Sequence, residues 1–233
     1  MKKQAFYSDA PNQRETRWGL VYLAVSLVVL PALLQAGNRL LAAPLSDARL
    51  NFIYYCINFA AVVWIFRRFL SSQLRAALRI PFPTLWYAAL GYLGSRALGE
   101  ILAYLIFRVF PSFVNVNDRS IAQLLNQDFR LMAAATIVLV PIAEETLYRG
   151  LVFRCLYGKS PIASYLVSMG VFAAIHVVGF IGSFSPLHLL LCFVQYLPAG
   201  FCLAWCYRQT GTLLAPVIMH TLVNTVSVLT AMR

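Results

Sequence analysis

The apolar runs of this chain recur too often, and last too long, to be packed as the core of a water-soluble domain. Seven of them, at about 18–36, 50–66, 85–107, 129–148, 161–181, 187–207 and 213–231, are long enough or nearly so to span a membrane. A hydrocarbon layer about 30 Å thick takes roughly 20 helical residues. In lipid every backbone N–H and C=O needs an internal partner, which makes such runs helices. The fold class is therefore all-α, a polytopic membrane helical bundle of about seven transmembrane helices. The fourth run is the weakest, because its apolar part ends in a pair of acids. Only 12% of the 233 residues are charged and 61% are hydrophobic, against about a quarter charged in ordinary globular chains.

The net charge of +11 would suggest nucleic acid in a polar chain. Here it points to basic loops on the cytoplasmic side and to membrane lipids with anionic headgroups, and no nucleic-acid partner is expected. Five cysteines, Cys56, Cys155, Cys192, Cys202 and Cys206, form no Cys-x-x-Cys motif. Buried small hydrophobes are the better reading; Cys202 and Cys206, one helical turn apart, are the one local pair that could take a soft metal.

Residues 1–17 are polar and basic and form a cytoplasmic N-terminal tail rather than a cleaved signal. Residues 18–127 hold the N-terminal transmembrane helices and loops, and 128–231 a candidate catalytic core. Segment 37–49 is a polar turn, 67–84 an amphipathic surface element or loop, and 108–128 a loop with room for a surface helix. The tail, the linker 67–84, Arg154, Lys159 and Arg208 put eleven Lys/Arg inside, against six outside at Arg39, Arg49, Arg108, Arg119, Arg130 and Arg233. That distribution places the N-terminus in the cytoplasm.

Glu144 and Glu145 follow the apolar run 131–142, and ionisable groups at such depth usually face a bundle interior and mark function. Glu145 and Arg149 are i,i+4 and can pair on one helix face. Glu144 lies about 100° round the helix and points elsewhere. Of three histidines, His176 and His220 lie in later apolar runs, and Asn224 stands one turn beyond His220. One acid, two histidines and an amide on three helices suggest a hydrolytic centre. Glu144 would activate water, His176 would share that water or protonate the leaving amine, and His220 with Asn224 would hold an oxyanion. Pro141 and Pro216 would break their helices beside the site. Simple counting sets Glu144 near the cytoplasmic end of its span, His176 in an outer half and His220 in an inner half, around a cavity open to the cytoplasm.

Each residue also has a plainer reading. Glu145–Arg149 can be a solvated pair, and His176, His220 and Asn224 can knit helices together. His188 reads as structural. Arg96 and Glu100 form a second intramembrane i,i+4 pair, better read as bundle-stabilising than as substrate-binding. Glu144, His176 and His220 could also ligate zinc, although no His-Glu-x-x-His is present.

The patterns Glu144-Glu145-x-x-x-Arg149, Phe172-x-x-x-His176 and His220-x-x-x-Asn224, in this order, resemble the CPBP family of CAAX proteases and bacteriocin-processing enzymes, also called Abi or Rce1-like. Tyr148-Arg149-Gly150 and the stretch 207–213 before Ala215-Pro216 are similar too, so the likeness covers roughly 128–227. The resemblance implies a metal-free, glutamate-dependent intramembrane endopeptidase with no cofactor. It implies Glu144 and His176 as water activators, His220 and Asn224 as the oxyanion site, and Glu145 and Arg149 as support. The implied substrate is a membrane-anchored peptide or protein, in the inner membrane of a prokaryote. The rival of another class is a non-catalytic membrane immunity or scaffold protein.

Overall fold

In a computed structural model the chain is described over residues 9–231. Lys2, Lys3 and Arg233, part of the orientation count, lie outside that range, as does the first half of the tail. The described residues form nine helices: α1 (Gln13–Arg39), α2 (Asp47–Ile65), α3 (Arg67–Arg79), α4 (Pro81–Val109), α5 (Val116–Gln127), α6 (Phe129–Tyr157), α7 (Pro161–Ile175), α8 (Pro186–Thr210) and α9 (Leu214–Thr230). Five of these, α1, α2, α4, α6 and α8, are long and apolar enough to cross a membrane. The seven crossings expected from sequence include α7 and α9, of 15 and 17 residues. At about 1.5 Å per residue neither reaches 30 Å alone. The run 161–181 stops as a helix at Ile175, passes through a short 3₁₀ turn, and reverses at Gly182, whose φ of +87° favours glycine.

Both uncertain linkers are helical. In α3 the residues Phe69, Gln73 and Ala77, spaced by four, are buried, while Arg67, Arg68, Arg75 and Arg79 are exposed. Two side chains pin this helix to the bundle. Glu15 Oε1 accepts from Phe69 N–H at 3.0 Å, and Gln73 Oε1 accepts from Leu213 N–H at 3.0 Å. The first bond sets a carboxylate at a helix N-terminus, where the backbone dipoles favour it. Pro81 and Pro83 then open α4, in a first turn whose N–H groups need no helical partner. Asn115 caps α5 by accepting from the N–H groups of Asn117 and Asp118.

Large apolar side chains such as Trp18, Val28, Leu33, Leu93, Ile101 and Phe107 are exposed, as lipid-facing groups are. The main core lies inward, where Phe66, Phe69, Leu147, Leu151, Phe172, Leu203 and Met219 pack together. Helix α4 reaches it through a missing side chain. A Cβ on Gly91 would stand 2.2 Å from Cys206 Sγ and 2.8 Å from Met219 Sδ, so only glycine lets α4 approach α8 and α9. Cys202 and Cys206 are buried there, with Cys206 Sγ 3.0 Å from the Tyr87 carbonyl, and they pack as small groups.

Pro216 does not break its helix. It lies in the first turn of α9, which begins at Leu214, where the missing N–H costs nothing. Pro141 does disturb α6, and the site is built on that disturbance.

Candidate active site

Helix α6 is continuous from Phe129 to Tyr157, so Glu144 is its sixteenth residue of 29 rather than a group near its end. Two stretches, Ala135–Leu139 and Thr146–Phe153, are wound as π-helix on either side of the Glu pair; such bulges gather at functional sites. The first follows from Pro141. Val140 N–H bonds to Ala135 O, five residues back, and Pro141 has no N–H. The Thr136 carbonyl is thereby left without a donor from its own helix. Asn224 Nδ2 donates to it at 2.8 Å, and Thr221 Oγ1 donates to Ile137 O at 3.2 Å. The break in α6 thus becomes the seat of α9. One of Asn224's two amide protons is used there; the other is left for the cavity that Asn224 lines.

The second winding begins at Thr146 and carries Arg149 back over Glu145. The pair is entirely buried, with Arg149 Nη1 donating to Glu145 Oε1 at 3.0 Å. The same oxygen accepts from His220 Nδ1 at 2.8 Å. Arg149 Nη2 reaches the Gly200 carbonyl at 3.2 Å, and its guanidinium carbon lies 4.7 Å from the centre of the Phe172 ring. Gly200 lets α8 pack closely on α7: a Cβ there would stand 3.0 Å from Met169 Cβ and 3.3 Å from Phe172 Cδ1. Sequence spacing called for a Glu145–Arg149 pair. It did not call for His220 as a third member.

Glu144 has different surroundings. It lines a cavity of about 680 Å³, together with His176, His220 and Asn224, whereas Glu145 and Arg149 do not line it. Its Oε2 is buried without a hydrogen-bond partner among the described residues. His176 ends α7, and its Nδ1 lies 2.7 Å from Phe172 O. A carbonyl can only accept, so Nδ1 carries the proton and Nε2 keeps a lone pair. His188 is remote from this centre; its Nε2 meets Val114 O at 3.0 Å on the surface.

The structure adds residues that the sequence motifs do not contain. Tyr196 of α8 stacks on His176 with ring centres 4.1 Å apart. Its hydroxyl donates to Asp118 Oδ1 at 2.7 Å and accepts from Asn117 Nδ2 at 3.0 Å. Asn115 Nδ2 donates to Gln195 Oε1 at 2.8 Å, closing the clamp between α5 and α8. Burial raises the Asp118 carboxyl, while the Tyr196 hydroxyl acts the other way. Neither Asn115 nor Tyr196 is among the residues singled out from sequence, and the Tyr196–His176 stack joins two helices with no spacing rule between them. The cavity also takes Ser26, Tyr54, Asn58, Ser95 and Arg96 from the N-terminal helices.

A polytopic helical membrane protein with an acid–imidazole centre on one cavity is the class that this fold and site define. Residues 126–226 match the family described as Type II CAAX prenyl endopeptidase Rce1-like. Over that segment the chain is similar to the CPBP/CAAX protease family. A protein of Bacillus subtilis (strain 168) described as "Putative membrane peptidase YdiL" is 26% identical over 132 residues, covering 56% of this chain. The chain matches about half of that relative, 48% of its length. No solved structure matches the chain.

Proposed function

We propose that this protein is an intramembrane endopeptidase in which Glu144 activates water against a peptide bond of a membrane-anchored peptide or protein. The observation that carries this reading is the split between adjacent acids. Glu144 faces the cavity, while Glu145 does not line it and is tied through Oε1 to Arg149 and His220. In the proposed reaction the Glu144 carboxylate takes a proton from water, whose oxygen adds to the carbonyl carbon. His176 Nε2 accepts the water's second hydrogen bond. The developing oxyanion is held by the free Asn224 amide N–H and by His220. With Nδ1 engaged by Glu145, His220 offers Nε2 to the cavity and donates from it when protonated. Collapse breaks the C–N bond, and the proton held by Glu144 passes to the departing amine. Such charge-stabilising donors and positioned bases each supply about 10²–10⁴ in rate.

The family match and the peptidase description of the bacterial relative support the reaction class. The Lys/Arg distribution supports a cytoplasmic N-terminus and a site reached from the cytoplasm, and the setting proposed is a prokaryotic inner membrane. The test is purified protein in liposomes with a membrane-anchored peptide library read by mass spectrometry, comparing wild type with Glu144→Gln, and a chelator arm in parallel. Chelator-resistant cleavage lost in a folded Glu144→Gln variant is the expected result. Identical peptides from both proteins would sink the assignment and leave a scaffold role.

A further inference from the structure

Arg96 is the one Lys or Arg among the residues lining the cavity that holds Glu144. Its helical neighbour Glu100, one turn on, pairs with it but is not part of the cavity wall. Neither side chain is enclosed by protein, at 47% and 65% relative exposure, and the Arg96 guanidinium keeps free surface on the cavity side. A guanidinium fork matches a carboxylate in two parallel hydrogen bonds, which a singly held, exposed pair leaves available.

The register sets where this cation stands. Gly91 of α4 lies against Met219 of α9. Beyond that contact, Ser95, Arg96 and Gly99 of α4 line the cavity, as do Val223, Asn224 and Ser227 of α9. The two helices therefore enter the cavity in the same direction. Arg96 is five residues past Gly91, and Asn224 five past Met219, so Arg96 stands level with Asn224. It is about 6 Å along the axis from the level of His220, at roughly 1.5 Å per residue. An extended peptide covers that axial step in about two residues, at roughly 3.5 Å each.

We infer that Arg96 forms a subsite for a carboxylate of the bound peptide, either its chain terminus or an acidic side chain about two residues from the bond to be cut, and that Glu100 holds the guanidinium until that carboxylate replaces it. The inference rests on the peptidase reading for the bond, but not for the binding.

The experiment uses the full chain in nanodiscs of neutral phosphatidylcholine and a fluorescent N-acylated peptide series, read by anisotropy so that no turnover is needed. One peptide is made as free acid and as C-terminal amide, and another with an internal Asp and with Asn in its place; the first comparison reports the terminus, the second a side chain. Wild type is expected to prefer the carboxylate form of one of the two by roughly tenfold, the size of one charge-assisted contact. Arg96→Gln brings that ratio to about one, Arg96→Lys retains part of it, and Glu100→Gln keeps or increases it. A merely structural pair would respond alike to Arg96→Gln and Glu100→Gln, and equal effects of the two would overturn the proposal. So would a wild type that binds acid, amide, Asp and Asn forms equally. If the series shows the preference but Glu144→Gln leaves cleavage unchanged, the reaction assignment falls and the anion subsite stands.

Discussion

Two acid–arginine pairs at the same i,i+4 spacing sit in the two halves of this molecule. In the C-terminal half Glu145–Arg149 has no exposed side-chain surface and is tied to His220 and Gly200. In the N-terminal half Arg96–Glu100 is half open and has no third partner among its bonds. Sequence spacing alone treats the two as equals. Burial separates them: a charge pair taken out of water holds its surroundings in one arrangement, because any change that leaves one member alone is costly. An open pair can be exchanged for a ligand. The same chemical unit serves as a brace in one place and as a contact in the other.

The sharpest way to break this contrast is Glu145→Gln. It leaves the Arg149 charge buried against Phe172 and Gly200, and it is expected to cost about 3–5 kcal/mol, a large part of the roughly 5–15 kcal/mol that holds a domain folded. Thermal unfolding in detergent should show most of the protein lost, whereas Glu144→Gln, which takes no partner from Arg149 or His220, unfolds near the wild-type midpoint. If the two Gln variants melt alike, the division between brace and available acid is wrong.

Next in size is the seam that joins the halves. Gly91→Ala would drive a methyl group into Cys206 and Met219, with an expected loss of about 1–3 kcal/mol from overpacking. Adding Cys206→Ala removes the nearest atom and should recover part of that loss in the same melt. A double variant no better than the single one would mean that the helices separate rather than press together. Tyr196→Phe comes below it. It keeps the ring against His176 but deletes the hydroxyl shared by Asp118 and Asn117, a loss of about 1 kcal/mol. If the clamp from α5 positions His176, cleavage should fall through kcat more than through KM; a fall through KM alone would make Tyr196 a substrate contact.

What could be read from sequence was what repeats or follows a spacing rule. The apolar runs gave a helical membrane protein, and Glu145 with Arg149 gave a pair on one face. The motif residues Glu144, His176, His220 and Asn224 do line one cavity. Helix ends were less legible, because hydropathy stops where charge begins whereas hydrogen bonding does not: α6 carries its two acids and an arginine through to Tyr157. Pro141 and Pro216 looked equivalent, yet one lies mid-helix and unseats a carbonyl, and the other lies in a first turn where no bond is lost. The Glu145–His220 bond and the Tyr196–His176 stack join residues 75 and 20 positions apart, and no periodicity marks such pairs.

The smallest expected change is also the one that defines the open pair. Arg96→Gln should shift the unfolding midpoint by less than about 1 kcal/mol if the cavity brings water to the guanidinium, because a hydrated pair gains little from its charges and is screened by salt. Glu100→Gln should do the same, since neither side chain leaves a buried partner behind. Raising the salt should shrink even these shifts, while the far larger effect of Glu145→Gln stays, since buried charges are screened much less. The measurement is a set of melts of the three variants at low and high ionic strength. A salt-insensitive loss of several kcal/mol in Arg96→Gln would mean that this pair is a brace too. The N-terminal helices would then be held by charge as firmly as the core they surround.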